Sequence, residues 1–204
     1  MEQKNNDSYL TIKTEKNNSK NVERSRFLGH IKKVYTQDQA REFIKDIKER
    51  YSDASHNCSA YVTGMDRQFQ FADDNGEPGG TAGRPILGAI LSSGVTNVCL
   101  VVTRYFGGKK LGIRGLIDAY GSTARELLDS CGVVTEVVHR PAVLYCDYAK
   151  VDRVQYLLDT LGVLITHREY REKVKFVISV RESHYDKCIN RLRPLADIFP
   201  DRKN

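Results

Sequence analysis

The chain has 204 residues, 40% of them apolar and 28% charged, with a formal net charge of +6. This is the balance of an ordinary globular protein of one or two domains. Its longest apolar run, Val98–Val102, is strand-sized and far short of the ~18 residues that a membrane helix needs. The Lys- and Asn-rich start, Met1–Asn21, has no apolar h-region, so no secretory signal is read there and the expected compartment is the cytoplasm. Five cysteines (Cys58, Cys99, Cys131, Cys146 and Cys188) form no C-x-x-C pair, which argues against a zinc ribbon or redox dithiol and for buried thiols. The mild positive excess can attract RNA, but it is also common in proteins that bind none.

Taken in chain order, residues 1–20 are expected to fray or to form an edge hairpin around Tyr9–Lys13. Arg26–Val34 reads as a strand with Phe27, Gly29 and Ile31 on one face. Thr36 opens a helix whose T-x-x-Q capping box ends at Gln39, and Ala40, Phe43, Ile44, Ile47 and Tyr51 form its apolar stripe. Strands follow near Asn57–Thr63 and Gln68–Ala72. Asp73–Gly80 fits no regular element, and Thr81 is the expected N-cap of a helix reaching Ser92, with Pro85 tolerated in its first turn. Asn97–Thr103 is a continuous apolar run, as in a central strand buried on both faces. Gly107 and Gly108 end it. A helix then starts near Gly112, with Leu116, Tyr120, Ala124, Leu127 and Cys131 at helical spacing and Gly132 as its C′ residue. Val133–Val138 is a further strand.

Arg140-Pro141 marks a seam, dividing the chain into domains 1–138 and 139–204. The second part reads β-α-β-β-α. A strand at Ala142–Cys146 precedes a helix capped by Asp147 and stopped at Gly162. A hairpin of Val163–Thr166 and Val174–Val180 follows, and Ser183 caps a last helix that Pro194 ends. This order predicts a ferredoxin-like half-sandwich, and the whole chain an α+β fold of two α/β sandwich domains.

Two stretches carry chemistry. In Asp73-Asp74-Asn75-Gly76-Glu77-Pro78-Gly79-Gly80-Thr81-Ala82-Gly83-Arg84-Pro85, three carboxylates precede a glycine-rich helix start, where free N–H groups favour an anion. The carboxylates could hold a hard metal, cap that helix or pair with nearby arginines. In Thr103-Arg104-Tyr105-Phe106-Gly107-Gly108-Lys109-Lys110-Leu111-Gly112-Ile113-Arg114-Gly115, a strand again runs through glycines into a helix start. Residues 97–115 hold four basic and no acidic residues. Glycines let a backbone approach a ligand closely, and lysine and arginine supply lasting charge, so the fitting ligand is a phosphate in a nucleotide or an RNA backbone. The alternative is that the glycines only permit tight turns. Neither a Walker A loop nor a dinucleotide fingerprint is present. His56 opens a strand and reads as structural or catalytic. There is no nucleophile elbow and no H-E-x-x-H.

These segments resemble the IMPACT family, also called YigZ-like proteins. The resemblance rests on Ser25-Arg26-Phe27, Ala54-Ser55-His56, Ala60-Tyr61-Val62, the whole of Asp73–Pro85, Val102–Gly108, Lys110-Leu111-Gly112, Gly115-Leu116 and Ala119-Tyr120. It covers residues 20–135, and the remainder looks like the smaller C-terminal domain of bacterial members. It implies a first domain with the fold of the second domain of a ribosomal small-subunit protein and a second like the last domain of elongation factor G. Eukaryotic members regulate translation under amino-acid stress. For bacterial members, binding to nucleic acid or the ribosome is the usual suggestion. The chain departs from the family pattern at Asn75, which is inserted, at Gly80, at Ile113-Arg114 and at Asp118.

The expected function is therefore that of a non-enzymatic binding module acting on RNA, the ribosome or a translation factor. Arg104, Gly107, Gly108, Lys109, Lys110 and Arg114 would face phosphate with Arg84 in support. His56, Asp73, Asp74, Glu77 and Thr81 would shape the polar site. No catalytic residue, metal ligand, cofactor or membrane contact is assigned. One alternative is an enzyme acting on a nucleotide or phosphorylated small molecule with Mg²⁺ on the carboxylates. The other is a purely protein–protein regulator.

Overall fold

The computed structural model of the chain describes residues 7–200. They divide into two compact units: Tyr9–Glu136, and residues 137–200 together with Asp7 and Ser8.

In the first unit, β2 (Asn17–Val22), β3 (Ser25–Lys33), β4 (His56–Thr63), β5 (Phe69–Asp73) and β6 (Val98–Tyr105) form one sheet. Its order is β2-β3-β6-β4-β5, and every neighbouring pair is antiparallel. The apolar run of β6 lies at the centre and is buried from Val98 to Arg104, because helices cover both faces. On one face lies α1 (Gln37–Arg50), whose Ala40, Ile44 and Ile47 pack with Tyr61, Cys99 and Val101. On the other lie α2 (Gly83–Ser93) and α3 (Gly112–Cys131), which bring Ile86, Ile90, Leu116 and Leu127 against Phe27, Leu100 and Val102. The capping box of α1 forms as expected at Thr36, whose hydroxyl accepts from Gln39 N. The Gln39 carboxamide reaches back one residue further, to Tyr35 N at 2.8 Å.

The expected edge hairpin at Tyr9–Lys13 is replaced by another pairing. β1 (Ser8–Ile12) pairs with β7 (Val133–Val137), far along the chain, as a separate two-stranded sheet. Burial decides this: Ile12 is 1% exposed within the core. Just beyond it, Lys13 N and Thr14 N donate to the carbonyls of Gly132 and Cys131, which closes the end of α3. Residues 1–6 of the segment expected to fray lie outside the described residues.

The second unit contains β8 (His139–Cys146), α4 (Val151–Thr160), β9 (Leu164–Tyr170), β10 (Val174–Arg181), α5 (Tyr185–Leu192) and β11 (Asp197–Pro200). The strand order is β11-β8-β10-β9, with Leu144, Leu158, Phe176, Ile178 and Leu192 in the core. The β11 strand completes a β-α-β-β-α-β ferredoxin-like unit. It is too short to announce itself by alternation. Ser183 does not cap α5: it lies in the preceding 3₁₀ turn, and its backbone N–H donates to Asp7. Asp7 also accepts from the Arg181 guanidinium on both carboxylate oxygens, at 2.8 and 2.7 Å. The Arg181 bond holds its pKa well below the usual carboxylate range, against the opposing effect of burial. This is why the start of the described chain groups with its last third.

His30, on β3, is 4% exposed, and its ring lies 4.8 Å from that of Tyr51 at a tilt of 30°. Its Nδ1 lies 2.9 Å from the Asn17 carboxamide oxygen, which can only accept, so that nitrogen carries the proton. Nε2 is buried without a partner. Burial, reinforced by the charge of Arg50, pushes its pKa down to about 4 from 6.5. Between those values the unfolded chain binds a proton that the folded chain refuses. Stability should therefore fall as pH drops through that window, by at most about 3 kcal/mol. Urea unfolding across this pH range should show a slope that His30→Gln flattens.

Candidate functional site

The acidic loop between β5 and α2 is tied down by its own carboxylates. Asp74 Oδ1 accepts from Ala82 N at 2.9 Å and Gly83 N at 2.8 Å, and its Oδ2 accepts from Gly80 N at 2.7 Å. Burial raises the pKa of this group, but the three N–H bonds and the charge of Arg84 outweigh it and hold the carboxyl below its ordinary value. Asp74 thus fills the N-terminus of α2 from eight residues before the cap residue, Ala82, which makes no side-chain cap bond. Thr81, the expected N-cap, instead turns its hydroxyl to the Pro78 carbonyl at 2.7 Å. The fit needs Gly83, where a Cβ would stand 2.7 Å from Asp73 N. Asp73 accepts from Asn75 N at 2.9 Å and pairs with Lys48 at 3.1 Å.

Asn75 connects this loop to β4. Its φ of 42° is left-handed. Its side-chain oxygen accepts from Asn57 N at 2.8 Å, and its carbonyl lies 2.9 Å from His56 Nδ1. A carbonyl only accepts, so His56 is protonated on Nδ1. Its Nε2 turns toward Glu77 Oε1, 3.9 Å away.

Glu77 is the pivot. Its side chain is 3% exposed, and one oxygen accepts from Arg104 Nη1 at 2.7 Å and Tyr120 Oη at 2.8 Å. Arg104 also donates through Nη2 to Ser25 Oγ at 3.2 Å, and its guanidinium lies 5.3 Å from the Phe106 ring centre. Burial, with Cys58 and Glu77 adding to it, pushes the Tyr120 hydroxyl far above its ordinary pKa. Burial likewise pushes the Cys58 thiol up to about 12, which makes it a packing group rather than a nucleophile.

The basic loop joins β6 to α3. Gly107 is obligatory, since a Cβ there would fall 1.7 Å from the Arg24 carbonyl oxygen. Lys109 pairs with Glu23 at 2.7 Å, with both side chains about half exposed. Lys110 and Arg114 are exposed and have no ion-pair partner among the described residues. The first turn of α3 carries no side-chain cap.

The two loops meet. His56, Glu77, Arg104, Phe106, Lys110 and Ile113 line one cleft of about 480 Å³. Lys109 lines a neighbouring hollow with Lys20, Lys110 and Arg125. Of the residues singled out from the sequence, His56, Glu77, Arg104 and Lys110 are brought together. Asp73, Asp74 and Thr81 brace the loop behind them. Arg84 is exposed at the start of α2, outside the cleft lining, and Gly107 and Gly108 form the turn. The expected role of Arg104 as a free phosphate contact is altered by its burial against Glu77. The sequence reading missed Phe106 and Ile113, which are 47% and 67% exposed. The available signal was two large apolar residues inside an otherwise polar turn. It also missed Tyr120, whose helical spacing concealed a hydrogen-bonding tip.

Replacing Glu77 by Ala would leave the Arg104 guanidinium buried without its countercharge, so denaturant unfolding should show a loss of about 3–5 kcal/mol. Asp74→Ala should cost less, about 1–2 kcal/mol, as a lost helix cap does. A Glu77→Ala protein as stable as the parent would contradict the assigned role of the pair.

A family model described as the Impact N-terminal domain matches residues 23–128, and one described as a domain of unknown function (DUF1949) matches residues 144–195. The IMPACT family member YvyE of Bacillus subtilis is 41% identical over 175 residues, 86% of this chain and 81% of that protein. The IMPACT family member YigZ of Escherichia coli is 32% identical over 153 residues, 74% of each. A crystal structure described as that of a hypothetical protein is similar with a TM-score of 0.70 at 26% identity, over 97% of this chain and 99% of that one. The chain therefore belongs to the IMPACT family.

Proposed function

We propose that this chain is a non-enzymatic regulatory protein acting in translation, and that it grips an RNA backbone, on the ribosome or free, through the loop Gly107–Arg114. The observation that carries the reading is the pairing of unneutralised charge with exposed apolar surface at one helix start. Lys110 and Arg114 have no carboxylate partner among the described residues, and Phe106 and Ile113 stand exposed beside them. Cations contact phosphate and fix register, while an exposed aromatic ring offers a stacking surface to an unpaired base. Lys109 joins when its solvent-exposed pair with Glu23 opens, which costs little. Arg104 acts indirectly, by holding Phe106 and Glu77 in place. The translational setting is supported by the family resemblance.

The Mg²⁺-dependent enzyme has no comparable support. Asp73, Asp74 and Glu77 each accept from donors of the chain itself.

Fluorescence anisotropy with a structured RNA at several salt concentrations tests the proposal. Lys110→Ala with Arg114→Ala should lower affinity roughly tenfold and reduce the slope of log K against log salt by about 1.8, two phosphate contacts at ~0.9 each. Glu23→Ala, which frees Lys109, should strengthen binding. Unchanged affinity and slope in the double variant would reject this loop as the RNA contact.

A further inference from the structure

The two outer strands of the five-stranded sheet are built on opposite principles. β2 reads Asn-Asn-Ser-Lys-Asn-Val, and its Lys20 is ion-paired with Glu126. A polar edge with a lysine resists pairing with another chain. β5 reads Phe-Gln-Phe-Ala-Asp, with no proline and no lysine. Its register with β4 runs from Phe69 to Asp73 without a bulge, and its outer edge has no partner strand among the described residues. Phe69 and Phe71 are 48% and 39% exposed. Bulges, lysines and prolines are the devices that blunt an edge, and β5 uses none of them.

We propose that β5 is the interface of a two-fold dimer, in which two copies of this chain join edge to edge as antiparallel strands centred on Gln70. The strand is complementary to itself in that register. Residues two apart share a face, so Phe69 of each copy stands opposite Phe71 of the other, and the aromatic pair forms twice. Phe71 already stacks on Tyr61 of β4, with ring centres 5.0 Å apart and planes 14° apart. The junction therefore extends an existing aromatic row rather than starting one. Reciprocal contacts of this kind define a closed two-fold interface. Five residues a side make a small contact, so the dimer is a weak one.

Sedimentation velocity on the full chain should show a monomer–dimer equilibrium with a Kd of roughly 1–100 µM. Phe71→Lys should weaken it at least about tenfold, while circular dichroism verifies that the variant folds. Gln70→Cys reports the register without disturbing the aromatic pair. Directly opposite Cβ atoms lie about 4.5–5.5 Å apart, so mild oxidation should cross-link this variant. The five native cysteines are buried and should not compete. The proposal is overturned by a chain that stays monomeric throughout the range. It is equally overturned by a dimer that Phe71→Lys leaves intact, by a dimer of the Gln70→Cys variant that fails to cross-link, or by an edge that captures an extended peptide of another protein while the chain itself stays monomeric.

Discussion

The buried pair of Glu77 and Arg104 is the constraint on which the site depends. Each charge alone would be costly so far from water, and each is tolerable because the other lies 2.7 Å away, with the hydroxyls of Ser25 and Tyr120 adding one hydrogen bond to each, although Arg104 Nε is left without a partner. The pair joins three parts of the first unit. Glu77 comes from the loop before α2, Arg104 from the end of the central strand, and Tyr120 from the middle of α3. The positions of His56 on one side and Phe106 on the other follow from it. A loop rich in glycine has many conformations, and this pair selects one.

The two helix starts at the site are treated differently. Asp74 satisfies three N–H groups at the start of α2, so the anion that this end attracts is part of the chain. At α3 the corresponding groups have no side-chain cap, and the residues around them are Lys110 and Arg114. The same physical preference for negative charge is met by a side chain at one helix start and by none at the other. Of two glycine-rich helix starts that look alike in the sequence, one is closed by a carboxylate of its own loop and the other has no side-chain cap.

Much of the architecture was legible because it rests on local pattern. The β6 run reads as a strand covered on both faces, and Thr36 with Gln39 announces α1. The alternation from Val174 to Val180 reads as a strand with one buried face. Family motifs drew attention to the two loops that line one cleft. What the sequence hid was pairing over long separations. Arg104 and Lys109 both read as free cations. Their partners, Glu77 and Glu23, lie 27 and 86 residues away, and only the fold could show that one pair is buried and the other exposed. Thr81 looks like a cap because it is the right residue type in the right place, yet the carboxylate of Asp74, reaching across a glycine turn, outcompetes it. β11, four residues ending in proline, offers too little pattern to read and is defined by its pairing with β8.

The clasp of Asp7 by Arg181 spans 174 positions of the chain. A ribosome makes the amino end first, so Asp7 emerges with no guanidinium to receive it and stays unfastened until almost the entire polypeptide has been synthesised. The C-terminal ferredoxin-like unit is consequently the last to close and needs the oldest residues to do so. A nascent chain cut short before Arg181 would lack the guanidinium that Asp7 meets in the finished protein, while β1 could already pair with β7.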